Sequence, residues 1–183
     1  MKNKKISTKT VVMTGMFTAI LAVLSQISIP MPSGVPVTLQ TFGVALCACV
    51  LGWKFGTASV LIYLLLGAIG VPVFAGFNGG FGCIVGTTGG FLIGFLPMAF
   101  LTGLFTSSKS KIGTVCCSAA GLLICHLLGV LQFMFLMKQG FVEAALLVSV
   151  PYLLKDAISV ALAFVVGTAI KKALNSANIL TYA

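Results

Sequence analysis

Lys155 and Asp156, adjacent in PYLLKDAIS (151–159), are the residues of this chain best suited to chemistry. Asp156 is the sole Asp in 183 residues, and Glu143 is the only other acid. The pair opens an apolar run that continues as VALAFVV over 160–166. An ionised group at membrane depth costs roughly 2.5–3.5 kcal/mol on insertion scales, so it needs a partner, a water-filled cavity or a ligand. The pair therefore reads as a functional site. The plainer alternative has Lys155 snorkelling to an interface while Asp156 caps the helix.

The remaining reactive side chains do not assemble into a catalyst. His126 stands alone among Leu and Gly, where a hydrogen bond to a neighbouring helix is the usual use. Ser25, Ser59, Ser118 and Ser159 have no accompanying His–acid arrangement. The six cysteines are 47, 49, 83, 116, 117 and 125, and most lie in apolar runs as small hydrophobes. Cys47 and Cys49 point to different faces of a helix, no CxxC pair occurs, and one His is too few for a usual zinc set. Neither an enzyme nor a metal or other cofactor is expected. There is no phosphate loop, so ATP-driven work would need a separate ATPase subunit.

Charged residues make up 7% of the chain and hydrophobic ones 59%, with a mean hydropathy of +1.18. Globular chains are about 25% charged, so this is an all-α integral membrane protein of one domain, multi-pass, in the cell membrane. The net charge of +9 comes from Lys alone, gathered at helix ends, where it signals topology and meets lipid headgroups. Without Arg, and without one basic face, nucleic-acid binding is excluded.

Six spans are expected. The first covers Lys9 to Ile29; it follows a basic start, lacks a small-residue cleavage site, and reads as a membrane helix rather than a signal. Pro30, Pro32 and Pro36 end it. The second, Thr38 to Leu51, is short for a full span of about 20 residues and stops at Gly52-Trp53-Lys54, an interfacial anchor. The third covers Phe55 to Ile69, the fourth Ile84 to Phe105, the fifth Ile112 to Met137, and the sixth follows Pro151 to Lys171-Lys172. Residues 141–150 are a half-helix or interfacial segment.

With both termini cytoplasmic, Lys2, Lys4, Lys5, Lys9, Lys54, Lys109, Lys111, Lys171 and Lys172 fall inside, and the outer loops 30–37 and 70–83 carry no charge. Polar groups then collect at the outer end. These are Thr38, Gln40, Thr41, Asn78, Thr87, Thr88, Tyr152, Lys155 and Asp156. Irregular backbone at depth is tolerated only where protein or a cavity covers it, so an outward-facing pocket for a small solute is expected. Gln40 and Asn78 offer amides, and Phe74, Phe77, Phe81 and Tyr152 offer apolar walls. Gly76, Gly79, Gly80 and Gly82 suit a lid over a ligand. The plainer roles are packing for the phenylalanines, an Asn-Gly turn for Asn78, an interhelical hydrogen bond for Gln40, and a helix cap for Thr87 and Thr88. On the first span, Gly15 with Ala19 and Thr18 with Ala22 are small-xxx-small pairs, for packing inside the bundle or for docking a partner.

Four stretches, QISIPMPSGVPVTLQTFGV (26–44), YLLLGAIGVPVFAG (63–76), GTTGGFLIGF (86–95) and PYLLKD (151–156), resemble the BioY family of biotin-specific substrate-binding (S) components of energy-coupling factor (ECF) transporters. The resemblance implies a six-helix bundle that binds biotin tightly from outside. It implies partners as well: a transmembrane coupling subunit, met by Gly15, Ala19 and Ala22, and two ABC-type ATPases. Asp156 matches the acid of the similar family pattern PFLPGDLIK. Lys155 stands at its Gly, and Ser159 at its Lys. Lys155, one turn earlier, or neutral donors would then meet the biotin carboxylate. The implied binding set is Asp156, Lys155, Gln40, Asn78, Tyr152, Phe74, Thr88 and Gly79. Rival readings are an S component for another small vitamin, a stand-alone small-solute transporter, an intramembrane enzyme and a pore.

Overall fold

The structure, a computed structural model, describes residues 7–104, 106 and 111–177, with the side chain of Lys111 outside that description. Lys2, Lys4, Lys5, Lys109 and Phe105 lie outside the described residues. The described residues are helical almost throughout. Helix α1 (Thr8–Gln26) is followed by two short strands, β1 (Ser28–Ile29) and β2 (Val37–Thr38), then α2 (Gln40–Ala68). A 3-10 turn (Ala75–Phe77), α3 (Phe81–Val85), α4 (Gly89–Leu104), α5 (Lys111–Met137), α6 (Phe141–Val148) and α7 (Val150–Ser176) complete it. The proline loop is a small antiparallel hairpin, with Ser28 opposite Thr38 and Ile29 opposite Val37. The first span therefore ends at Gln26, three residues before the expected Ile29.

Helix α2 is two helices in one. Gly52 has φ +74°, a left-handed conformation that side chains disfavour, and the chain folds back there. The Gln40 amide nitrogen reaches the Tyr63 hydroxyl at 2.7 Å, although the two would be about 34 Å apart on a straight helix. The return arm packs on the first so closely that a Cβ at Gly56 would lie 2.7 Å from the Ala48 Cα. The arms, 40–51 and 53–68, match the second and third expected spans. The fourth expected span starts later than Ile84: the chain breaks after α3 and restarts at Gly89, leaving 86–88 as an elbow. Gln132 of α5 holds that elbow by donating to the Ile84 and Gly86 carbonyls at 2.9 and 2.7 Å.

The core is apolar and continuous. Leu21, Val44, Val60, Tyr63 and Met98 are fully buried where α1, α2 and α4 meet. The outer faces are apolar too, with Val23 67%, Leu154 72% and Phe135 84% exposed. Such a surface suits hydrocarbon, where every backbone group must be satisfied within the helix. Among the described residues, α1, α2, α5 and α7 are long and apolar enough to cross a membrane, and α4 is a shorter apolar helix. One end of the bundle carries Gly52, Trp53, Lys54 and Lys171. There Gly103 of α4 sits against the Trp53 backbone, and the Lys171 ammonium meets the Thr106 carbonyl at 3.5 Å. The strand hairpin, the 70–83 segment, the elbow and α6 gather at the other end.

Candidate functional site

A cavity of about 300 Å³ opens at that second end, within the range of small-molecule sites. Both irregular segments and the starts of α2, α4 and α7 wall it. Seven of the eight residues in the implied binding set line it, Gln40, Phe74, Asn78, Thr88, Tyr152, Lys155 and Asp156, and Thr38, Thr41 and Thr87 join them. They come from positions over a hundred residues apart because the hairpin at Gly52, the elbow at 86–88 and the start of α7 all bring the chain to one level.

Asp156 is the electrostatic centre. Its Oδ2 lies 3.2 Å from His126 Nε2, and its Oδ1 is ion-paired with the Lys155 ammonium. That ammonium also donates to the Thr38 carbonyl at 2.8 Å. Asp156 is buried, with 6% of its surface exposed, while the Lys155 side chain is 30% exposed. A carboxylate this deep is tolerated because Lys155 and His126 face it, with the Thr41 hydroxyl as a further donor. Neither residue snorkels or caps; both face inward.

Around this centre the polar groups are held in place. The Tyr152 hydroxyl donates to the Val35 carbonyl at 2.6 Å, and the Ser33 hydroxyl, 3.0 Å away, is left to donate to it. This fastens the strand hairpin over α7. Gln40 accepts from the Thr38 hydroxyl at 3.0 Å and donates to Tyr63. Phe74 is buried, packs edge-on against Tyr63 at 5.4 Å, and forms an apolar wall. Asn78 stands exposed at the mouth, donating to the Ala75 carbonyl at 2.8 Å. Thr88 gives its carbonyl to the first turn of α4.

Two expected walls, Phe77 and Phe81, and one expected lid glycine, Gly79, lie elsewhere. Phe77 and Phe81 are 72% and 66% exposed and turn away from the cavity. Gly79 does not line it either. A Cβ there would press on the Val71 carbonyl oxygen, so Gly79 shapes the 70–83 segment from behind. That segment is tied to the end of α1 by Gln26, which donates to the Val73 carbonyl at 3.1 Å and accepts the Phe77 N–H at 2.8 Å. Removing a hydrogen bond of this kind costs about 1 kcal/mol. Gln26→Leu should therefore speed amide hydrogen exchange at Phe77 several-fold, with the α5 core unaffected. Equal rates in both proteins would show that the tie is not holding the segment.

His126 was expected to bond a neighbouring helix, and it does; its alignment on Asp156 was not foreseen. The sequence held a signal for it. Leu122, Cys125 and His126 follow helical spacing, and all three line the cavity. Nothing in the spacing tells which helix that face meets. No group of three or more His, Cys, Asp or Glu among the described residues could hold a metal ion. The small residues of α1 divide. Gly15 and Ala19 are on the exposed face, with open space around Gly15. Ala22 is half-buried against the core, and Thr18 bonds the Ser59 carbonyl at 3.1 Å inside the bundle.

The family model described as the BioY family matches residues 1–176. The chain is 43% identical to the biotin transporter BioY of Thermotoga maritima over 160 residues, covering 86% of this chain and 93% of that one. It is 40% identical to the probable biotin transporter BioY of Pyrococcus horikoshii, covering 91% and 95%. A crystal structure of the S-component for biotin from an ECF-type ABC transporter superposes with a TM-score of 0.82, at 29% identity, over 94% and 95% of the two chains.

Proposed function

The chain belongs to the BioY family, and on that premise we propose that it is the biotin-binding S component of an ATP-driven ECF-type vitamin uptake transporter. The carrying observation is the buried Asp156, paired with Lys155 and His126, in a cavity of about 300 Å³ at one end of an apolar bundle. Biotin brings a ureido ring, whose N–H groups suit the Asp156 carboxylate, with Gln40 and Asn78 as amide partners. Its thiophane ring suits Phe74 and the apolar wall. Its carboxylate needs donors. Lys155 keeps an N–H beyond those given to Asp156 and Thr38, and Thr88 adds a hydroxyl. Tyr152 holds the strand hairpin over the ligand, and Gly79 shapes the segment that closes the mouth.

The bundle crosses the membrane six times, through α1, the two arms of α2, α4, α5 and α7. The fold-back at Gly52 supports this count because it returns the chain to the level from which α2 began. Both termini are cytoplasmic and the cavity faces outward, consistent with Lys54 and Lys171 at the opposite end. The membrane is the plasma membrane.

The coupling subunit docks on α1 at Gly15 and Ala19, with Ala22 beside them, and two ABC-type ATPases drive the cycle. Gly15→Leu tests this. It should leave folding and biotin binding unchanged, because nothing lies within 4 Å of a Cβ placed there and the position is on the exposed face of α1. Co-purification with the coupling subunit should fall sharply. A variant that still co-purifies fully would move the docking face elsewhere.

The binding reading is tested by isothermal titration of the purified protein with biotin, beside an analogue lacking the ureido oxygen. Tight binding of biotin and much weaker binding of the analogue are expected. Equal affinities would overturn the assignment.

A further inference from the structure

His126 is held from three sides. Its Nε2 faces Asp156 Oδ2 at 3.2 Å, its Nδ1 faces the Ser149 hydroxyl at 3.0 Å, and its ring stands edge-on to Phe91 at 5.8 Å and 90°. These contacts come from the start of α7, the α6–α7 junction and α4. His126 itself is only 4% exposed. A carboxylate can only accept, so the Nε2 must carry a proton. Ser149 can donate to Nδ1, which fixes the tautomer that places that proton on Nε2.

We propose that His126 is a positioning residue for ligand recognition: it orients the Asp156 carboxylate so that a ligand N–H meets a fixed acceptor. Lys155 alone cannot set that orientation. It neighbours Asp156 on the same helix, and its ammonium is shared with the Thr38 carbonyl. His126 comes from another helix and grips the other oxygen, so the carboxylate plane is set from two directions. Ser149 acts one step further out, by keeping the imidazole in the donating tautomer. The ligand class is a cyclic urea or amide that donates N–H to a carboxylate. This rests on the biotin reading above and adds to it a residue that does not itself have to touch the ligand.

The test compares two substitutions of similar size. Gln can place an N–H where Nε2 stood, and Asn is too short to do so. The purified full chain is titrated with biotin and with the two mono-N-methylated biotins, each of which lacks one ureido N–H. His126→Asn should weaken biotin at least about tenfold, the scale of losing one hydrogen bond to a charged group. His126→Gln should stay within about threefold of the parent on the same scale. For the methylated biotin whose missing N–H faces Asp156, the Asn penalty should vanish.

Equal losses in both variants, or a penalty that persists for both methylated ligands, would mean that His126 merely packs, and would overturn the proposal. No loss in either variant would do the same. If neither His126 variant folds, Ser149→Ala decides: about a fivefold loss for biotin supports the proposal and no loss overturns it. Asp156→Asn is run alongside. If it binds biotin normally, the binding reading fails as well; if it loses biotin while the His126 variants do not, only the present inference falls.

Discussion

Asp156→Asn should weaken biotin binding by a factor of order 100 or more, while the ligand-free protein still folds. The carboxylate is the one acid in the cavity wall, and its two oxygens are oriented by Lys155 and His126. Asn keeps the shape but removes the charge, and it replaces one acceptor oxygen with a donor NH₂ that would face the ligand's own N–H. Losing a charged hydrogen bond costs about 1.5–3 kcal/mol, and two opposed donors add to that. At about 1.4 kcal/mol per tenfold, this gives the stated factor. Folding should survive because Lys155 is partly exposed and can turn to water once its partner is neutral. Titration calorimetry reads the affinity and thermal unfolding in detergent reads the fold. An affinity within about threefold of the parent would remove Asp156 from the recognition site.

Gly56→Leu should destabilise the protein by about 3 kcal/mol or more, the upper part of the range for overpacking a filled core. The added Cβ would meet the Ala48 Cα at 2.7 Å and the Cys47 carbonyl oxygen at 2.8 Å. Both are backbone atoms of the facing arm and cannot rotate away. The arms of α2 would have to part, and the bond between Gln40 and Tyr63 would be strained at their far end. A large fall in the unfolding temperature is expected, with reduced biotin affinity in whatever protein folds. Gly15→Leu is the matched control, since the same change in open space should leave the unfolding temperature in place. If the two variants unfold alike, the close packing of the arms is not what stabilises the hairpin.

The positions of the two irregular segments were legible because proline and glycine punctuate apolar runs in a way that side-chain chemistry cannot mimic. Their shapes were not. The prolines of 30–36 sit in a strand hairpin, since Ser28 and Thr38 find each other only after α1 and α2 have set their separation. The sequence places residues 86–88 in the first turn of one long helix, whereas the helix starts at Gly89. Three glycines nearby blur the helical period, and the Gln132 side chain that props the elbow open comes from α5.

Composition alone determined that the chain is a bundle of membrane-competent helices, because a run of apolar residues has no other way to satisfy its backbone in hydrocarbon. The order of charges fixed the expectation that Lys155 and Asp156 serve a site, since so scarce a charge at depth demands a partner. Only the tertiary structure decided who that partner is. His126 and Asp156 are 30 residues apart on different helices, and their meeting depends on how α5 is rotated about its axis. The same holds for Phe77 and Phe81, which differ from Phe74 in nothing the sequence records. Phe74 is buried while Phe77, at φ +58°, and Phe81 are exposed. Local patterns set which faces are apolar; the packing of distant elements sets what each face touches.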